Sequence, residues 1–425
     1  LGENRRFHGY SFHPNHSPSM THGKTQRGRG ARVTLMVATL MMLAPFSIDT
    51  YLPSLPDIAR DLFAADWQVQ QTLSLYLLAF AGTTLVYGPL SDSFGRRSVV
   101  LGSLVLYTLS SIGCVLTANI HWLLAMRIGQ GLSASGPVVI GRALVRDVFS
   151  GARAQRVMSR VTLFFSLAPA LAPIVGGFLH DAYGWRSIFW FLTALGVVLC
   201  GWTAIMLPET LAAADRHPAH PRAWAIAYAH AFAHGRFMLL VASIALCFCG
   251  LFLYIAASPA LMYDHLGYAA NEFGYLFVPV VLGLMAGASL SGRLAGRYTH
   301  AYAANLGFAI MLTGAALGMF SSLWFAPRGW NTIGPIMVYA AGMSLTLPNL
   351  SLIALDCLPN RRGLASAVQS FVQMAAGGVV AGALVPVLSA QLWTLAAGRL
   401  LLALLAAGLW LAYAYVASIR TADAA

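Results

Sequence analysis

Charge is what this chain has least of. Asp, Glu, Lys and Arg make up 9% of its 425 residues, and Lys24 is its single lysine. With 58% hydrophobic residues and a mean hydropathy of +0.69, there is too little polar surface to cover a soluble globule of this length. The composition places the chain in a lipid bilayer. No nucleotide loop of the Gly-x-x-x-x-Gly-Lys type is present, which excludes an ATP-driven pump. There is no Cys-x-x-Cys pair, and the histidines of the N-terminal stretch (His8, His13, His16, His22) have no defined spacing. No Ser, His and Asp fall in a credible nucleophilic arrangement, so neither an enzyme, a metal site nor a cofactor is expected. The five cysteines (Cys114, Cys200, Cys247, Cys249, Cys357) lie mostly in apolar stretches and read as helix-packing residues. The net charge of +12 does not point to nucleic acid, because the arginines are spread over alternate loops instead of one patch.

What is present in abundance is apolar sequence in runs of membrane length. About twelve segments of roughly 20 residues can be marked, near 33–52, 71–90, 98–117, 122–145, 156–179, 187–207, 237–262, 272–292, 301–323, 331–355, 363–388 and 396–418. Backbone amides in hydrocarbon must be satisfied within the segment, so each is a helix. With the N-terminus inside, the arginine-rich turns, from Arg96 and Arg97 through Arg361, Arg362 and Arg420, all face the cytoplasm, and Arg60, Arg186 and Arg328 face out. Trp122, Trp185, Tyr263 and Trp330 fall near segment ends, where an interfacial belt is expected.

The expected organisation is a disordered cytoplasmic tail over 1–31, a six-helix half over 32–207, a cytoplasmic linker over 208–235, a second six-helix half over 236–418 and a short cytoplasmic tail over 419–425. The first stretch lacks the apolar core and cleavage site of a secretory signal. The second part of the linker, Arg222 to His234, reads as a segment lying along the membrane surface. A weak internal repeat supports the division: Gly95-Arg96 is echoed by Gly296-Arg297, and Asp147 with Arg153 by Asp356 with Arg361 and Arg362, although Arg293 stands where the first half has Asp92. Two related six-helix halves are a transporter architecture.

The most informative turn is Gly88-Pro-Leu-Ser-Asp-Ser-Phe-Gly-Arg-Arg97, between the second and third segments. It resembles the loop motif of the major facilitator superfamily, and Ser93 in place of the motif's usual basic residue is similar to the Bcr/CflA-type drug:proton antiporters. Ser47-Ile-Asp-Thr-Tyr-Leu-Pro-Ser-Leu-Pro56 looks like that group's first-helix signature, and Arg127-Ile-Gly-Gln-Gly131 like the fourth-helix arginine motif. Ala168-Pro-Ala-Leu-Ala-Pro-Ile-Val-Gly-Gly177 resembles the fifth-helix motif of antiporters, with Ala168 and Ala172 where glycine is common. The resemblance spans about residues 33–418 and implies an all-α fold of twelve transmembrane helices in two pseudo-symmetric halves.

The residues carry their own chemistry. Asp49 is the one carboxylate placed well within a span. Such a group costs roughly 2.5–3.5 kcal/mol on insertion scales and should face the protein interior with work or a partner. It is the expected proton carrier, with Arg127, whose charge is fixed, as its natural partner. Asp92, with Gly88, Gly95, Arg96 and Arg97, is expected to form a cytoplasmic latch with Arg146 or Arg153 that breaks when that side opens. Pro169 and Pro173, followed by Gly176 and Gly177, are expected to bend helix five and let it seal tightly against a neighbour. Tyr254, Ser258, Tyr263, Asn349, Gln369 and Gln373 are the candidate cargo-cavity residues. With no basic cluster there, they favour an amphipathic organic molecule over a charged metabolite. The resulting reading is a monomeric proton-coupled drug exporter of the bacterial inner membrane, whose partners are its small-molecule substrate, protons and lipid. A carrier of a native metabolite, or a membrane sensor without flux, are the alternatives.

Overall fold

The computed structural model describes residues 21–149, 151–211, 216 and 220–423. The expected tail over 1–20, parts of the linker and residues 424–425 lie outside the described residues. The described residues are almost entirely helical. Its long helices are α1 (Thr21–Asp49), α2 (Asp66–Phe94), α3 (Arg96–Val115), α4 (Ile120–Val148), α5 (Gly151–Tyr183), α6 (Arg186–Met206), α7 (Gly235–Ala256), α8 (Gly274–Leu294), α9 (His300–Trp324), α10 (Gly329–Asp356), α11 (Arg362–Leu388) and α12 (Leu392–Asp423). Among the described residues, eleven helices are long and apolar enough to cross a membrane. The twelfth, α5, is 33 residues long and runs unbroken through Pro169 and Pro173. Helix α1 begins at Thr21, inside the stretch expected to be a disordered tail.

The packing repeats with a shift of six helices. Helix α2 lies along α4 as α8 lies along α10, α3 sits against α4 and α6 as α9 sits against α10 and α12, and α1 meets α5 as α7 meets α11. The same rule governs the junction of the halves, where α2 packs on α11 and α5 on α8. The two ends of the bundle are termed inner and outer after the arginine-rich and arginine-poor turns.

The halves are joined at the outer end. Gln70 Nε2 donates to the Ala256 carbonyl (3.2 Å), Gln71 Nε2 to the Gly382 carbonyl (2.8 Å), Ser74 Oγ to the Gly378 carbonyl (2.7 Å) and the Tyr263 hydroxyl to the Pro53 carbonyl (2.7 Å). A π-turn over Val380–Leu384 interrupts α11 here. Such turns disturb the regular ladder, and Gly382 within it is the acceptor for the opposite half. At the inner end a short helix, Pro221–Ala233, is wedged across the mouth instead of lying free on the membrane. Its Tyr228 hydroxyl donates to the Leu85 carbonyl of α2 (2.8 Å), and the Phe232 ring meets Phe371 of α11 edge-on at 5.8 Å. Direct hydrogen bonds between the halves thus gather at the outer end, and the linker helix crosses the inner one.

Candidate functional site

The turn between α2 and α3 is a single residue, Gly95, held at φ +93°, a left-handed backbone that strains any side chain. A Cβ there would also run into the Glu209 carboxylate. The sharp reversal folds the Arg96 side chain back beneath α2. Its guanidinium meets Asp92 (2.5 Å), Ser91 Oγ (2.5 Å) and Asp147 at the foot of α4 (3.2 Å). Asp92 is therefore held by Arg96 and not by Arg146 or Arg153, because its neighbour four residues along is brought round by the turn. Arg146 is exposed beside it, and Arg153 lies over the Phe149 ring at 5.9 Å. Arg97 donates to the Ala204 carbonyl (2.7 Å). Sequence reasoning missed Glu209, just past α6, which accepts from the Arg96 backbone N–H (2.9 Å) at the start of α3. A carboxylate at a helix N-terminus is a favourable placement. The signal available was an acid directly after an apolar segment, in Leu207-Pro-Glu-Thr210.

Asp92 is nearly half exposed, so its pair with Arg96 is well solvated and worth at most about 1 kcal/mol. Asp92→Asn is expected to slow transport a few-fold without abolishing it, read as initial flux in proteoliposomes. A complete loss with intact folding would assign Asp92 a role beyond biasing the conformational equilibrium.

Arg127 is fully buried in α4. Its Nη1 donates to the Ser47 carbonyl (3.1 Å) and to Gln130 Oε1 (2.8 Å), and its Nε approaches the Thr72 carbonyl (3.4 Å). The guanidinium is stacked between the Tyr51 and Tyr76 rings, 4.2 and 4.5 Å from their centroids. Ser47 lies in the last turn of α1, where carbonyls lack intrahelical donors. Arg127 thus caps α1, a cation at the negative end of the helix dipole. Gln130 passes the network on to Ser111 (2.8 Å), while Ser47 Oγ shares a short hydrogen bond with Tyr107. Arg127 Nη2 and the Tyr76 hydroxyl are the two buried polar groups of the cluster without a partner.

Asp49 is also buried, 4% exposed, yet it has no ion pair or hydrogen bond with Arg127 or with any other described residue. The reason is helical geometry. Side chains two residues apart point about 200° apart, so when Ser47 turns toward α3 and α4, Asp49 points the other way. The expected pairing is replaced by two separate features, a capped cation and a lone acid.

Just beyond Asp49, α5 closes on the end of α1. A Cβ on Gly176 would overlap the Thr50 carbonyl, and one on Gly177 would overlap the Ala270 carbonyl from the second half. Below them His180 binds Ser54 Oγ through Nδ1 (2.8 Å) and Asp57 through Nε2 (3.0 Å). Gly176→Ala is expected to destabilise the protein by about 1–3 kcal/mol, the usual cost of overpacking against backbone. Thermal unfolding in detergent tests this, and an unchanged midpoint would mean that α5 can move off α1 freely.

This geometry belongs to a known class of fold. The sequence profile described as Major Facilitator Superfamily matches residues 37–382. The chain belongs to the major facilitator superfamily. It is 30% identical to an uncharacterized MFS-type transporter, YdgK, of Bacillus subtilis, over 85% of this chain and 90% of that one. It is 28% identical to a bicyclomycin resistance protein homolog of Haemophilus influenzae, over 81% and 87%. Among solved structures, a D-xylose–proton symporter superposes with a TM-score of 0.69 at 14% identity, covering 88% of this chain and 96% of that one. At that identity the likeness is one of fold.

In this member of the superfamily, the loop-motif residues come together at the inner vestibule. This is a cavity of ≈ 350 Å³ between the halves, where Gly88, Asp92, Arg96 and Arg146 face Tyr228 of the linker helix and Ser370 of α11. The six candidate cargo residues do not share one cavity. Tyr254 is buried in the second half and donates to the Leu276 carbonyl (3.1 Å), and Ser258 is fully buried. Asn349 is tied to His300 (2.9 Å) and Leu345 (2.8 Å), Gln369 to Ser351 (2.8 Å), and Gln373 is half-buried. Tyr263 bridges the halves at the outer seal and lines a separate cavity of ≈ 330 Å³. A further cavity of ≈ 1080 Å³, lined by Tyr275, Val278 and Trp330, touches neither Asp49 nor Arg127. His230, on the linker helix, and His234, just past its end, stand four apart, a His-x-x-x-His spacing where none was expected. The His234 ring accepts from the Phe237 N–H and caps α7.

Proposed function

We propose that the protein is a proton-coupled exporter of small amphipathic organic molecules. It sits in the bacterial inner membrane with both termini in the cytoplasm and acts as a carrier without catalytic chemistry. The observation that supports this best is Asp49, a buried acid with no ion pair or hydrogen bond among the described residues, while Arg127 is committed elsewhere. A carboxylate in that setting is neutralised by a proton or by a cationic cargo, so the two compete for it. Arg127 holds the end of α1, and hence Asp49, in place. Opening and closing of the two halves around the vestibule exposes the acid to each side in turn. The resistance protein homolog among the relatives supports a drug-like cargo.

The test is reconstitution into liposomes carrying an internal pH dye, with an imposed pH gradient and a panel of lipophilic drugs. Compound-dependent proton movement is the expected result. No movement with any compound, in vesicles shown to contain folded protein, would refute the reading.

A further inference from the structure

Arg399 has no part in anything described above. It lies in the third turn of α12, in the second half, and is 8% exposed. It forms no ion pair and no hydrogen bond with any described residue, and its Nε and Nη1 are fully buried without partners. Tyr339 and Tyr254 are close enough to interact with it electrostatically. Both hydroxyl protons are already used, on the Cys247 carbonyl (2.9 Å) and the Leu276 carbonyl (3.1 Å). Gly318 of α9 leaves room beside the group, since a Cβ there would lie 3.4 Å from Nη2.

The guanidinium lines a cavity of ≈ 20 Å³ between α9, α10 and α12. Asn331 and Thr332 also line it, and neither side chain has a hydrogen-bond partner among the described residues. An arginine cannot shed its charge to escape burial, and a buried charge is tolerated only when it is paired. Water would satisfy the N–H groups and leave the charge uncompensated, whereas an anion does both. The volume admits something the size of one water molecule and is far too small for a phosphate or a lipid headgroup.

We propose that Arg399, with Asn331 and Thr332, holds a small monovalent anion of chloride size, which acts as the counter-ion that secures α12 against α9 and α10. The test uses the full-length protein in detergent, with chloride replaced by gluconate at constant ionic strength. The wild-type unfolding midpoint should rise by about 1–2 °C when chloride reaches roughly ten times its dissociation constant, and Arg399→Gln should show no such rise. Should that variant fail to fold, bromide-soaked crystals of the wild type decide the matter. An anomalous peak between Arg399 and Thr332 supports the site. A chloride-independent wild-type midpoint, an equal rise in Arg399→Gln, or no peak at that position would overturn it.

Discussion

Asp49→Asn is expected to reduce drug-dependent proton movement to background while leaving the protein folded. Asn keeps the shape of the side chain and removes its ability to carry a proton. Since Asp49 makes no ion pair in this structure, the substitution leaves no orphaned cation behind. Removing a buried acid without a partner relieves a desolvation cost, so the unfolding midpoint should stay level or rise. The pH-dye assay and a thermal scan of the same preparation read both quantities. Loss of coupling together with a collapsed midpoint would make Asp49 a structural residue, and unchanged coupling would remove it from the proton path.

Arg127→Lys should do the reverse, costing stability more than coupling. The planar guanidinium reaches the Ser47 carbonyl and Gln130 at once and lies between two tyrosine rings. An ammonium on a single stem cannot keep that set of contacts. The lost charge-assisted bonds and stacking should destabilise the protein by about 2–4 kcal/mol, seen as a lower unfolding midpoint. Because Arg127 and Asp49 are not paired, the folded fraction should still move protons with drug. A midpoint matching wild type would show that α1 needs no cap. Loss of coupling at an unchanged midpoint would instead tie Arg127 directly to the proton.

The site was legible in part. Asp49 and Arg127 stand out in sequence because ionisable residues in apolar runs are rare and costly. The partners of Arg127 were hidden: Tyr51, Tyr76 and Gln130 are ordinary residues until three helices converge, and a two-residue offset from Ser47 decides that Asp49 faces away. The loop motif shows the same limit. Its residues were found, but Glu209 joins them from more than a hundred positions away. The cargo candidates were chosen for polarity at membrane depth. Depth alone does not say whether a side chain faces the space between the halves or the interior of one half.

The sequence by itself determined the membrane setting, the helix count, the division into two related halves and the superfamily. These follow from local properties: run length, hydropathy, charge in the turns, and short motifs whose residues are adjacent in the chain. Tertiary structure alone decided that Arg127 caps α1, that Arg96 binds Asp92 and Asp147, that hydrogen bonds join the halves at the outer end, and that Arg399 is left without a partner among the described residues. Each depends on which faces of separate helices meet, and in hydrocarbon that is set by close packing and hydrogen bonds between helices, which no single segment encodes.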